Sequence, residues 1–228
     1  MPRSVVIYTS SAAFSGLAAL LRLRAETRAF LPYTLSFAQK TGAGTIRVRV
    51  TELLDEAVLP AIMDMVKRGE ASLASEADRD VRSASYEELI TGADRTGRIV
   101  RLQWTSPLCV SLEGVPVPFP VMPLVFAGYR AKWSAFSPVP LPQGAEDVEM
   151  RARMVDFRIS CVTGPPGPGA QGWAVVELEK GRTEEEIALF NGLVDFAFYC
   201  GTGLYTGEGW GQTRRMDRLP QARTGFST

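Results

Sequence analysis

The sequence predicts an α+β protein, and two observations carry that reading. Runs of strand length alternate with runs at helical spacing in the order β-α-β-β-α-β, and the order occurs twice along 228 residues. A unit of that order folds as an antiparallel sheet with its helices on one face, so the repeat defines two tandem ferredoxin-like domains. A C-terminal glycine-rich loop follows the last helix pattern. It holds Gly201, Gly203, Gly207, Gly209 and Gly211, with Arg214 and Arg215 directly behind.

In the first unit, Arg3 to Thr9 is a β-branched run, and Leu17, Leu20, Leu21 and Leu23 then recur at helical spacing between residues 13 and 28. Residues 31–38 and 45–53 read as two strands joined by Thr41-Gly-Ala-Gly44. The second alternates, with Ile46, Val48 and Val50 inward and Arg47 and Arg49 outward. Residues 55–67 begin acidic and end in lysine, as an amphipathic helix does, and residues 81–86 supply a fourth strand. The Gly-, Asp- and Thr-rich stretch 87–97 marks a boundary between domains 1–96 and 97–228.

In the second unit residues 98–105 form a strand, and Val115-Pro-Val-Pro-Phe-Pro120 is excluded from any central strand by its prolines. A helix is expected over 121–136 and strands over 147–162 and 172–179. Gly164-Pro-Pro-Gly-Pro-Gly169 between them is expected to be a loop. The helix over 183–199 opens on Thr183 and Glu184-Glu-Glu186, acids placed where the helix dipole favours them, and residues 209–216 close the sheet.

Lysine plus arginine equals aspartate plus glutamate at 25 each, so nucleic-acid binding must rest on local patches rather than a global field. The chain has no histidine, which removes the commonest metal ligand and the usual neutral-pH base. No metal and no cofactor are expected. Cys109, Cys161 and Cys200 each lie in an apolar stretch and read as buried reduced thiols of a cytosolic protein. No apolar run approaches the roughly 18 residues that span a bilayer, and no signal pattern opens the chain, so a cytoplasmic location is expected.

The glycine loop is the sharpest chemical signal. Its spacing suggests main-chain amides facing a bound group such as a phosphate. A dinucleotide fingerprint needs a strand before the glycines and a helix after them, and here the helix comes first, which counts against a nucleotide-binding enzyme.

Three stretches resemble one known family. The loop Gly201-Thr-Gly203 to Gly209-Trp-Gly-Gln212, entered from an aromatic helix, is similar to the terminal glycine-rich signature of the CRISPR-associated endoribonucleases that cut repeat RNA. Arg101 to Pro107, with Phe119-Pro120 and the helix carrying Phe126, Trp133 and Phe136, resembles that family's strand and following helix. Pro32 to Ser36 and Arg47 to Thr51 are similar to its first-domain strands.

The resemblance implies metal-independent cleavage of CRISPR repeat RNA into guide RNAs. The substrate's 2′-hydroxyl would be the nucleophile and a 2′,3′-cyclic phosphate the product. Many relatives use a histidine that this chain lacks, so either other residues move the protons or the chain holds RNA without cutting it. The second alternative makes it a guide-RNA-binding subunit with other subunits of a CRISPR effector complex as partners. No oligomeric state is assigned.

The candidate catalytic residues are Lys40, Tyr33 and Arg28, with lysine or tyrosine as acid or base and arginine stabilising charge. Between Pro32 and Thr34 on its strand, Tyr33 reads better as a core or sheet-surface tyrosine than as a catalytic one. The candidate RNA contacts are the five loop glycines with Arg214 and Arg215, Arg24, Arg47 and Arg49 in the first domain, and Arg130 and Lys132 beside Tyr129 and Trp133. Arg24 and Arg28, four apart on one helix, fit a phosphate clamp or a solvated basic face. For Arg130 and Lys132 the alternative is that the neighbouring aromatics anchor the helix to the sheet.

Overall fold

The computed structural model describes residues 1–25, 30–42, 44–54 and 58–216. Its first unit starts with strand β1 (Arg3–Ser10) and helix α1 (Ser11–Ala25). Strands β2 (Tyr33–Leu35), β3 (Gln39–Gly42) and β4 (Thr45–Glu52) follow, then α2 (Leu59–Lys67) and β5 (Ala71–Leu73). The sheet runs β2-β4-β1-β5, with β3 also on β4 and the two-residue β6 (Arg82–Ser83) on β1. Each neighbour pair along that path is antiparallel, which is the strand order of a ferredoxin-like unit.

Alternation in β4 sorts its side chains as the sequence predicts on one face. Ile46, Val48 and Val50 are buried in a core with Leu17 and Leu21 of α1 and Ile62 and Met65 of α2. The other face departs from expectation. Arg49 is only 4% exposed, because the second unit covers the face that the sequence assigns to solvent.

Of residues 81–86 only Arg82–Ser83 form a strand, the short β6 on β1; β5 takes most of the fourth-strand place, and Ser85 caps a short helix, α3 (Tyr86–Thr91). The Ser85 hydroxyl accepts from the Glu88 amide while the Glu88 carboxylate accepts from the Ser85 amide, a reciprocal capping box. Tyr86 and Leu89 of α3 pack into the core of the second unit.

The second unit runs β7 (Ile99–Leu108), the hairpin β8 (Val110–Leu112) and β9 (Val115–Val117), α4 (Met122–Phe136) and α5 (Ala145–Arg151). Then come β10 (Ala152–Gly164), β11 (Gly167–Leu178), α6 (Glu184–Cys200) and β12 (Thr213–Arg215). Its sheet is ordered β10-β11-β7-β12, antiparallel throughout, so the same topology recurs. The proline-studded stretch lies in the separate two-stranded sheet, where a missing N–H breaks no central ladder.

Two expectations change here. Residues 145–151 are helix, so the strand begins at Ala152. The Gly164–Gly169 stretch is not a long loop: Gly164 pairs with Gly167 across a two-residue turn made of Pro165 and Pro166.

Trp104, Phe126, Trp133, Phe190 and Phe196 centre the second core, with Trp133 and Phe196 meeting edge to face at 5.1 Å. α6 is buried over most of its length, and Thr183 and Glu186 form its own capping box. Cys109 and Cys200 are buried as expected, whereas Cys161 is exposed on the edge strand β10. No helix among the described residues is long and apolar enough to cross a membrane.

Candidate functional site

The two units meet where β4 faces the end of α6 and the loop behind it. The Thr34 hydroxyl donates to the Tyr199 carbonyl, and the Gln212 side-chain amide donates to the Leu35 carbonyl at 2.6 Å. Arg49 donates to the Gln212 side-chain oxygen. Along this seam runs a cleft of about 170 Å³ lined by Arg47, Arg49, Arg79 and Arg214.

One carboxylate organises these cations. Asp80 follows a turn in which its own amide donates to the Asp78 side chain at 2.9 Å, and its carbonyl accepts from the Ser4 hydroxyl. So held, its carboxylate lies 2.9 Å from Arg47, 2.6 Å from Arg214 and 4.0 Å from Arg49. Asp78 adds a second contact to Arg47 at 2.9 Å. The guanidiniums of Arg49 and Arg82 each lie 4.4 Å from the Phe198 ring centroid.

The cleft is short of negative charge. Burial pushes Arg49 down to about 10, opposed by Asp80 but reinforced by the charges of Arg214, Arg82 and Arg47. Arg214 is also lowered, by burial first, against the pull of Asp80. Arg47 behaves oppositely: burial works against its charge, yet its bonds to Asp78 and Asp80 raise it. Two guanidiniums whose charge the site disfavours would be relieved by an entering anion. A phosphate has the charge and the acceptor oxygens to do so.

The glycine loop also has a structural part. Its amides mostly turn inward: Gly211 donates to the Pro107 carbonyl, Thr202 to Gly211, Leu204 to Cys109 and Gln212 to the Ser106 hydroxyl. Gly201 donates to Ala197 and closes α6. The absent side chains admit other parts of the protein. A Cβ at Gly203 would strike the Cys109 carbonyl and one at Gly211 the Thr202 carbonyl, and both residues hold positive φ, +76° and +66°. Leu31 sits against Gly207 and Phe37 against Gly209, both from the first unit. The loop is therefore a joint between units.

Lys132 belongs to that joint. It is 7% exposed, and its ammonium donates to the carbonyls of Cys200, Gly201 and Gly203 at 2.8, 3.3 and 3.4 Å, so it anchors the loop instead of offering a surface cation. Burial pushes it below the ordinary lysine value. Arg130 pairs with Glu149 of α5 and does not line the cleft. Arg215 pairs with Asp195 at 3.2 Å and ties β12 to α6.

Of the candidate catalytic residues, Tyr33 is 1% exposed, in the first core beneath Gly207. Lys40 is exposed on β3, but it follows Gln39, a cleft residue, and strand alternation turns it to the other face. Arg28 lies outside the described residues, as does the side chain of Arg24. The structure therefore brings Arg47, Arg49 and Arg214 together and leaves Tyr33, Lys40, Arg130 and Arg215 out of the cleft.

Sequence reasoning did not single out Arg79, Asp80 or Gln212. The Asp78-Arg-Asp80 run was a usable signal, because alternating charge in a short turn invites local Asx capping and ion pairing. Among the described residues no group of histidine, cysteine, aspartate and glutamate side chains could hold a metal.

Residues 102–213 match the model of the family described as CRISPR-associated endoribonuclease Cas6. The fold is also that of solved Cas6 structures. A Cas6 product complex is 24% identical with TM-score 0.76, covering 94% of this chain and 99% of that one. A second product complex is 22% identical with TM-score 0.78, covering 95% and 100%. Cas6 of Thermus thermophilus is 22% identical with TM-score 0.73, covering 95% and 98%. No curated protein matches the sequence.

Proposed function

We propose that this chain, like the Cas6 family whose model it matches over residues 102–213, binds CRISPR repeat RNA and cuts it into guide RNAs without a metal. The observation that carries the proposal is the four-arginine cleft at the seam of the two units, in which burial disfavours the charge of two guanidiniums. A scissile phosphate held there is neutralised as its charge grows in the phosphorane. The 2′-oxygen forms a bond to phosphorus, the bond to the 5′-oxygen breaks, and a 2′,3′-cyclic phosphate results. The 2′-hydroxyl loses a proton and the 5′-oxygen gains one. Solved relatives named as product and substrate-mimic complexes support an RNA-processing site in this fold.

A second reading has its own observation. The chain has no histidine, and neither Tyr33 nor Lys40 lines the cleft, which fits a subunit that holds guide RNA without cutting it. One solved relative is a mutant in which a histidine is replaced by alanine, so that protein has the residue type this chain lacks.

The two readings separate in one experiment. Purified protein is incubated in EDTA with repeat RNA, and in parallel with the same RNA carrying a single 2′-deoxy at the cut site. Cleavage of the first RNA alone is the expected result. Tight binding with neither RNA cut contradicts the cleavage proposal and makes the chain a guide-holding subunit.

A further inference from the structure

Next to the arginine cleft lies an apolar crevice of about 260 Å³, bounded by Phe14, Phe37, the Pro165–Pro166 turn, Glu208 and Trp210. Ser36 and Phe37 line both depressions, so cleft and crevice adjoin at these two residues. Phe37 is 39% exposed, and its ring rests against Gly209, where any side chain would displace it. The opposing wall is preorganised, because the two prolines form a two-residue turn with fixed φ and no long side chain to order.

A cationic cleft joined to an apolar crevice at one aromatic edge matches the two halves of a nucleotide. The phosphate calls for guanidiniums, and the base for a flat apolar contact. We infer that the crevice is a nucleobase subsite: with a phosphate between Arg47 and Arg214, the base of the adjoining nucleotide enters the crevice and stacks on Phe37, facing Pro165 and Pro166. The inference rests on the RNA reading above and names a part of that site. It also gives Gly209 an indirect role in RNA contact, since the glycine seats the stacking ring.

The test uses the full chain and repeat RNAs in which one nucleotide at a time around the cut is made abasic. At one position the abasic RNA should bind wild type about tenfold more weakly, the size of one lost base stack. Phe37→Ala should lose the same factor on intact RNA, with no further loss when that nucleotide is abasic, and Phe37→Trp should retain affinity. If every abasic RNA binds wild type as intact RNA does, the subsite is wrong while the RNA reading stands. It is equally wrong if Phe37→Ala weakens intact and abasic RNA by the same factor, which marks Phe37 as structural. Failure of wild type to bind intact RNA overturns both.

Discussion

The glycine loop and the arginine cleft lie on the same seam, yet their residues serve it in opposite ways. The loop has the stronger sequence signal, and most of its amides and open Cα positions are spent on the protein itself: Pro107 accepts the Gly211 amide, and Cys109, Leu31, Phe37 and Thr202 lie where side chains at its glycines would sit. The cleft has the weaker signal, four arginines scattered over residues 47 to 214, and it gathers three of them around the Asp80 carboxylate. Glycine spacing reports that something approaches the main chain closely; what approaches is decided by tertiary packing. Charge behaves differently, because a buried guanidinium without enough carboxylate advertises a missing anion.

The largest effect that would break this contrast belongs to the loop. Gly203→Ala or Gly211→Ala places a Cβ against a backbone carbonyl at positive φ, and should cost about 3 kcal/mol or more. For a chain of this size that is a fall of roughly 6–12 °C in Tm, read from thermal melts. A variant with unchanged Tm and lost RNA binding would return the loop to the role of ligand cradle.

A smaller effect sharpens the cleft side. The Asp78 carboxyl is held below the ordinary value of 3.8: burial would raise it, but hydrogen bonds from Arg47 and the Asp80 amide, together with the Arg47 charge, outweigh burial. Its folded value is depressed, so its contribution is full above the unfolded value and is lost as pH falls through the folded one. Asp78→Asn should therefore cost about 1 kcal/mol at neutral pH and progressively less below about pH 4, as followed by denaturant unfolding across pH. A difference that does not change with pH would mean that the carboxylate's charge is not what Arg47 uses.

Much of the fold was legible because alternation and helical spacing survive in strongly amphipathic segments. The inward set Ile46, Val48 and Val50 shows this on one face of β4. The same strand shows the limit: the period that names two faces cannot say whether the second meets water or another domain, and Arg49 meets Phe198 and Gln212. Short elements were harder. Ser85 and Glu88 spell a capping box, but α3 is six residues long and its helical period hardly registers beside the Gly- and Asp-rich stretch that follows. α5 merged with the strand behind it for the same reason.

Among the cleft residues, Arg47 and Arg49 were singled out by charge clustering and Arg214 by its place directly behind the glycine loop. Asp80 was not, because its importance comes from pairing with Arg214 across 134 positions of sequence. Lys132 misled in the opposite sense. A lysine between aromatics resembles a nucleic-acid contact until the structure shows its ammonium on three carbonyls of the loop.

The most direct test of the claim that the cleft, rather than the loop's amides, holds the RNA backbone is the salt dependence of repeat-RNA binding. It should be measured for wild type and for Arg214→Gln, with folding of both checked by their melts. Losing one phosphate contact should weaken binding and reduce the slope of log K against log salt by about 0.7 to 1. A folded Arg214→Gln protein with the wild-type slope and affinity would contradict the account.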